Sequence, residues 1–209
     1  MILNNNPGIP SGNAEESKNA VFNLLTARVT KSTKTTNTVK WKKVKEADGY
    51  IVLGNRCNAG GKKYKYQVIT VIDKNTTTSY KHKKLTKGTY YKYMVQAYKM
   101  VDGKLEILAT SKTIHVTTAG GKWGNVGSLK LNTKGVQLKT GAKFKLKATE
   151  IKKDKQFKRH RNVAYESTNP KVASVSKKGV IKAKKKGTCY IYAYAQNGIY
   201  KKIKVTVKK

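Results

Sequence analysis

Acidic side chains are scarce in this chain: 10 aspartates and glutamates face 46 lysines and arginines, for a formal net charge of +36. That scarcity removes most carboxylate chemistry, because a glycosidase needs two carboxyl groups facing each other across a sugar and general acid–base catalysis needs a positioned titrating group. Glu150 and Asp154 lie close in sequence, but Lys152, Lys153 and Lys155 surround them, which reads as charge pairing within a loop. Histidine occurs only at 82, 115 and 160, with no carboxylate or cysteine at ligand spacing, so no zinc site is expected. Two cysteines, Cys57 and Cys189, make neither a disulfide framework nor a metal cluster, and Cys189 reads as a buried free thiol. No glycine-rich phosphate loop is present. The expectation is therefore no catalytic residue, no metal and no cofactor.

Long apolar runs are missing as well. Nothing approaches the roughly 20 consecutive apolar residues of a membrane-spanning helix, so no membrane insertion is expected. The residues after Met1, "ILNNNPGIPSGNAEESKN", lack the basic start, apolar middle and small-residue cleavage site of a secretory signal. On that basis the chain is expected to be a fragment or to belong to a protein not exported by that route.

What is present is enough apolar material to fold, 38% of the residues with only 3 prolines. Almost all the basic residues are lysine, arginine being confined to 28, 56, 159 and 161. Arginine makes bidentate phosphate and guanine contacts, whereas lysine is a hydrated point charge, so this surface suits diffuse attraction to a polyanion better than base reading. Drift of surface residues toward lysine in an AT-rich genome would leave the same composition.

Two glycine-, asparagine- and serine-rich stretches divide the chain. Residues 1–23 carry no apolar period and read as an arm or linker, and "TTAGGKWGNVGS" places a linker at 119–127. The regions at 24–118 and 128–209 show repeated alternation of period two and no helix-length segment of period 3.6. Both read as all-β. In the first, Val39, Trp41, Val44, Tyr50 and Val52 form inward positions. In "LTKGTYYKYMVQAYK" Leu85, Tyr91, Tyr93, Val95 and Ala97 share one face, leaving Tyr90, Lys92, Met94, Gln96 and Tyr98 on the other, where Tyr90, Lys92 and Tyr98 are expected as an outer stripe.

The Trp41 strand, the A-D-G-Y turn from Ala47 to Tyr50 and the L-x-x-G-T-x-Y-x-Y-x-V-x-A pattern from Leu85 to Ala97 resemble a fibronectin type III domain. Lys87 stands where that family often has proline, and no Arg-Gly-Asp integrin motif is present. The second region resembles a bacterial immunoglobulin-like domain of group 2, as found in invasin- and intimin-like surface proteins. "LKLNTKGVQLKTGAKFKLKA" and the S-x-N-P-x-V-A-x-V-S-x-x-G-V-I pattern from Ser167 to Ile181 carry this resemblance. Tyr165 stands where tryptophan is common, and "KDKQFKRHRN" looks like an enlarged loop. Together the two resemblances imply tandem immunoglobulin-like β-sandwiches joined by a glycine-rich linker, non-enzymatic and strung along a bacterial surface protein.

Two groups of residues are candidates for binding. In "GTCYIYAYAQNGIYKKIKVTVKK" Cys189, Ile191 and Ala193 alternate inward, which sends Tyr190, Tyr192 and Tyr194 outward. Ile203, Val205 and Val207 likewise point in, leaving Lys202, Lys204 and Lys208 outside. If the strands pair through "AQNG", a tyrosine ladder lies beside a lysine ladder: flat rings suit sugar faces, and ammoniums suit carboxylate, sulfate or phosphate. The same pattern follows if tyrosine and lysine simply favour exposed strands, lysine also discouraging edge-to-edge pairing. The second group is Lys152, Lys153, Lys155, Lys158, Arg159, His160 and Arg161, an anion-site candidate holding two of the four arginines in an expected loop.

The expected role is a spacer and adhesion module at the bacterial cell surface, outside the cell and within a larger surface protein. Its anionic partner would be teichoic acid or a sulfated or sialylated glycan. A virion decoration or fibre component built from the same modules is the alternative. Specific nucleic-acid binding is not expected, since there is no groove-reading helix, arginine-rich surface or RNA-recognition aromatic signature.

Overall fold

A computed structural model describes residues 25–209; the arm read at 1–23 lies outside the described residues. The described chain is all-β, with no helix. It divides into two compact units, Leu25–Trp123 and Gly124–Lys209.

The first unit contains β1 (Ala27–Ser32), β2 (Asn37–Trp41), β3 (Gly49–Arg56), β4 (Gln67–Ile72), β5 (Ser79–His82), β6 (Tyr90–Val101), β7 (Lys104–Thr110) and β8 (Ile114–Thr117). One sheet runs β1-β2-β5. The other runs β4-β3-β6-β7, with β8 also paired to β6. Between them lies the core that the alternation anticipates: Val39, Trp41, Tyr50, Val52, Tyr91, Tyr93, Val95 and Ala97 are all buried, joined by Val44 and Leu85 from the connections. Each large side chain withdrawn from water here is worth about 1.5–3 kcal/mol. Trp41 and Tyr50 meet edge to face at 5.2 Å, and the Tyr50 hydroxyl accepts from the Val44 amide and donates to the Asn75 carbonyl.

The opposite face of β3 and β6 departs from the expected pattern. Tyr90, Met94, Gln96 and Tyr98 do alternate away from the core, yet all four are buried, so no exposed stripe of Tyr90, Lys92 and Tyr98 exists. The reason is a second apolar cluster on that side. Ile51, Leu53, Met94 and Tyr98 pack there with Tyr66, Val71, Leu105 and Ile107. The β3 sequence shows it: "GYIVLGNR" is continuously apolar from Tyr50 to Leu53, the signature of a strand buried on both faces rather than of one wet on one side.

One polar network crosses the first core. Asn37 Nδ2 donates to the Tyr93 hydroxyl, which in turn meets His82 Nδ1 at 3.1 Å, while the rings of Tyr80, Tyr91 and Tyr93 surround the imidazole. Burial holds the His82 pKa below its ordinary 6.5. As pH falls, the unfolded chain therefore takes up this proton before the folded unit does. The stability tied to it is complete above about pH 6.5 and is lost below it. Denaturant unfolding of the first unit at pH 7.5, 6.5 and 5.5 should show that decline, and His82→Gln should flatten it; an unchanged pH slope in the variant would exclude His82 as the source.

The second unit contains β9 (Val126–Leu131), β10 (Gly135–Lys139), β11 (Lys143–Lys145), β12 (Ala148–Lys152), β13 (Ala164–Ser167), β14 (Ala173–Val175), β15 (Val180–Ala183), β16 (Gly187–Tyr194) and β17 (Tyr200–Lys208). Strand β9 takes up Val126 and Gly127, so the residues read as linker end inside a strand. The principal sheet is β10-β17-β16-β13, in which β10 runs parallel to β17. It packs against β11-β15-β14 and the β12-β9 pair. Cys189, Ile191, Ile203, Val205 and Val207 from the first layer meet Leu146, Ala173, Ile181 and Ala183 from the other. Cys189 is buried, as is Cys57 in the first unit, and neither is in a disulfide.

Candidate functional site

Strands β16 and β17 do pair as a hairpin, closed by Ala195 N–H to Ile199 O and Gly198 N–H to Ala195 O, with Gly198 at a φ of 86°. Its register sets Tyr190 opposite Lys204, Tyr192 opposite Lys202 and Tyr194 opposite Tyr200. Pairs directly across an antiparallel ladder share a face, so tyrosines and lysines lie side by side on the outside of the principal sheet. Lys202 Nζ stands 4.5 Å from the centre of the Tyr190 ring and 5.8 Å from that of Tyr192. Lys202 and Lys204 are exposed, Tyr190 is 38% exposed and Tyr192 is half-buried.

Tyr194 is different. Alternation places it on the outer face, but it is 2% exposed and offers nothing to a ligand, which corrects its place among the glycan-facing residues. Its ring stacks on Tyr192 at 5.9 Å and packs against Tyr200 at 5.8 Å, and its hydroxyl donates to Glu166 Oε2 at 3.2 Å. Burial, and then the Glu166 carboxylate, push its pKa far above that of an ordinary tyrosine. Tyr192 and Tyr200, 5.4 Å apart, complete a packed trio. Crowding of large neighbours, rather than strand parity, buries Tyr194. Neither Glu166 nor Tyr200 was singled out in the sequence. The signal was there in Tyr200, two residues past the turn and therefore opposite Tyr194 in any tight hairpin.

The basic cluster at 152–161 is also redistributed. Lys152 ends β12, and the rest occupy the loop that follows. Arg161 turns inward: Nη1 donates to Asn162 O and Tyr194 O, and Nη2 donates to Ala195 O at 2.9 Å. The Arg161 guanidinium thus caps carbonyls at the base of the β16–β17 turn. Arg159 pairs with Glu150 at 3.1 Å and lies over the Phe157 ring. Glu150 is itself buried at its side chain, and its Oε1 accepts the Gln196 amide at 2.7 Å. His160 gives its backbone N–H to Gln196 Oε1, and Gln196 Nε2 donates to Lys158 O. Burial, aided by Lys158, holds the His160 pKa below its ordinary value. Arg159, His160 and Arg161 therefore lock the loop onto the hairpin turn, while Lys152, Lys153, Lys155 and Lys158 are exposed. Glu150 thus pairs with Arg159, nine residues further along the chain.

Among the described residues, no three His, Cys, Asp or Glu side chains converge in a way that could hold a metal ion, and no helix is long and apolar enough to cross a membrane. The usable chemistry of the face is a row of ammoniums beside partly covered tyrosine rings, set on a two-layer β unit. Residues 125–207 match the family model of the bacterial Ig-like domain, group 2. The matched stretch takes in β9 through β16 and β17 as far as Val207, the hairpin and the 153–162 loop included. No curated protein matches the chain. Among solved structures, the solution structure of the fibronectin type-III domain of human fibronectin type III domain containing protein 3 is similar at 19% identity, covering 54% of this chain and 95% of that one, with a TM-score of 0.37.

Proposed function

We propose that the chain is a non-catalytic spacer and adhesion module of a bacterial surface protein, acting outside the cell, whose cationic exterior associates with anionic cell-wall polymer or host glycan. A bacterial Ig-like unit supports the coarser part of this reading, since such domains are typically non-catalytic and occur in surface proteins. The single observation that carries the finer part is the outer hairpin face, where Lys202 stands over Tyr190 beside the exposed Lys204 in a chain of net charge +36. Ammoniums take carboxylate, sulfate or phosphate as point charges, and the neighbouring ring surface favours a polymer with apolar sugar faces. Lys152, Lys153, Lys155 and Lys158 extend the attraction without the two arginines, which are engaged in holding the loop.

Binding of the whole chain to purified teichoic acid and to a sulfated glycan tests this reading. Affinity should fall steeply as salt rises. Replacing Lys202 and Lys204 by glutamine should weaken it by about threefold to tenfold, roughly 0.7–1.4 kcal/mol, and lower the salt slope by about two. Arg161→Gln should act through stability of the turn and leave that slope in place. If DNA of equal charge displaces the chain from cell walls where teichoic acid and sulfated glycan do not, the proposal is wrong.

A further inference from the structure

Among the described residues, strand β4, Gln67–Ile72, forms the outer edge of its sheet and pairs only with β3. Its sequence is QVITVI. Among the described residues it is the only edge strand longer than four residues without a charged side chain; β1, β7, β9, β10 and β12 all carry lysine. Proteins usually blunt such edges with charge, because a row of unpaired N–H and C=O groups is a template for another strand. In a chain with 46 basic residues, leaving this edge bare is a departure from the pattern of the rest of the surface. The strand is accessible: Gln67 and Val68 are exposed, Val68 at 37%, and the remaining four are half-buried. Toward the outside of the sheet, Val71 continues the apolar cluster of Ile51, Leu53 and Met94 up to the edge.

The two ends of the strand differ in charge. Lys62, Lys63 and Lys65 stand exposed just before it, in a loop held by the Ala59–Lys62 bridge and by Asn55 Nδ2 donating to Lys65 O at 2.8 Å. After it come Asp73 and Lys74, which offset each other. A second copy of this chain fits poorly, because antiparallel pairing of two β4 strands would set that lysine loop against an end that carries no net negative charge, between two chains of +36 each.

We propose that β4 accepts an added strand from another protein: an extended segment, apolar at alternate positions, with acidic residues at the end lying beside Lys63 and Lys65. Main-chain hydrogen bonds to the open edge would supply affinity, alternate apolar side chains would extend the cluster at Val68 and Val71, and the acidic end would set direction. For an antiparallel addition, that acidic end is the C-terminal one.

The probe is a synthetic peptide of three Val-Thr repeats followed by three glutamates, added to the whole chain and followed by amide hydrogen exchange and titration calorimetry. Saturating peptide should slow exchange of β4 amides by about tenfold or more while leaving β7 and β10 amides unchanged. Val68→Lys, at a position exposed enough to accept it, should weaken binding by about tenfold with the chemical-shift pattern of the core preserved. Equal binding by triglutamate alone, by the same peptide ending in three lysines, or by the Val68→Lys variant would overturn the proposal. So would sedimentation showing that the free chain dimerises through β4.

Discussion

Ile191→Ala should be the most damaging conservative truncation in the second unit. Ile191 is fully buried at the middle of β16, opposite Ile203, with Ser167 across on β13 and the Leu146–Ile181 layer beneath. Removing three carbons from such a site loses their transfer free energy and leaves a cavity that close-packed neighbours refill only in part. The cost should be about 2–5 kcal/mol. For a unit of this size, that corresponds to a melting transition lowered by about 10–25 °C. Its neighbour Tyr190 is the control. That ring is 38% exposed, and its identified partner is the Lys202 ammonium, so Tyr190→Ala should cost about 1 kcal/mol or less. Differential scanning calorimetry of the three proteins decides the matter. If the two variants destabilise alike, the alternation that places Ile191 inside and Tyr190 outside is wrong.

That alternation was the most legible property of the chain. Period-two patterning places Val39, Trp41, Tyr50, Val52, Tyr93 and Val95 inside the first unit and Cys189, Ile191, Ile203 and Val205 inside the second, and all are buried. The hairpin followed from Asn197-Gly198, since glycine tolerates the positive φ that the turn requires. Parity says which way a side chain points and nothing about what stands above it. Met94, Tyr98 and Tyr194 all point outward and are all buried, because large side chains pack alongside them. Arg161 was illegible for a related reason. A guanidinium in a basic run reads as an anion site, but its five donors also satisfy backbone carbonyls, and the carbonyls it caps lie more than thirty residues along the chain. Local pattern carried the strands; contacts distant in sequence decided which of the candidate residues remain available to a ligand.

Gly49→Ala should destabilise the first unit by about 3 kcal/mol or more, although it adds a single methyl group. Gly49 opens β3, facing Tyr98 on β6, and the next residue pairs with Ile72 on β4. A Cβ built there would lie 2.1 Å from the Ile72 carbonyl oxygen and 2.7 Å from the Tyr98 hydroxyl. The tyrosine ring can rotate aside. The carbonyl belongs to the backbone of β4, and moving it means opening the β3–β4 ladder from its end, where Tyr50 and Ile72 are paired. The backbone conformation of Gly49 plays no part, so the whole effect is steric. Two-state denaturant unfolding of the single variant and of Gly49→Ala combined with Tyr98→Ala separates the two obstacles. The double variant should be no more stable than the single one, because the carbonyl remains and a buried ring has been lost as well. Recovery of stability in the double variant would place the clash at the ring and leave the end of β4 free to shift.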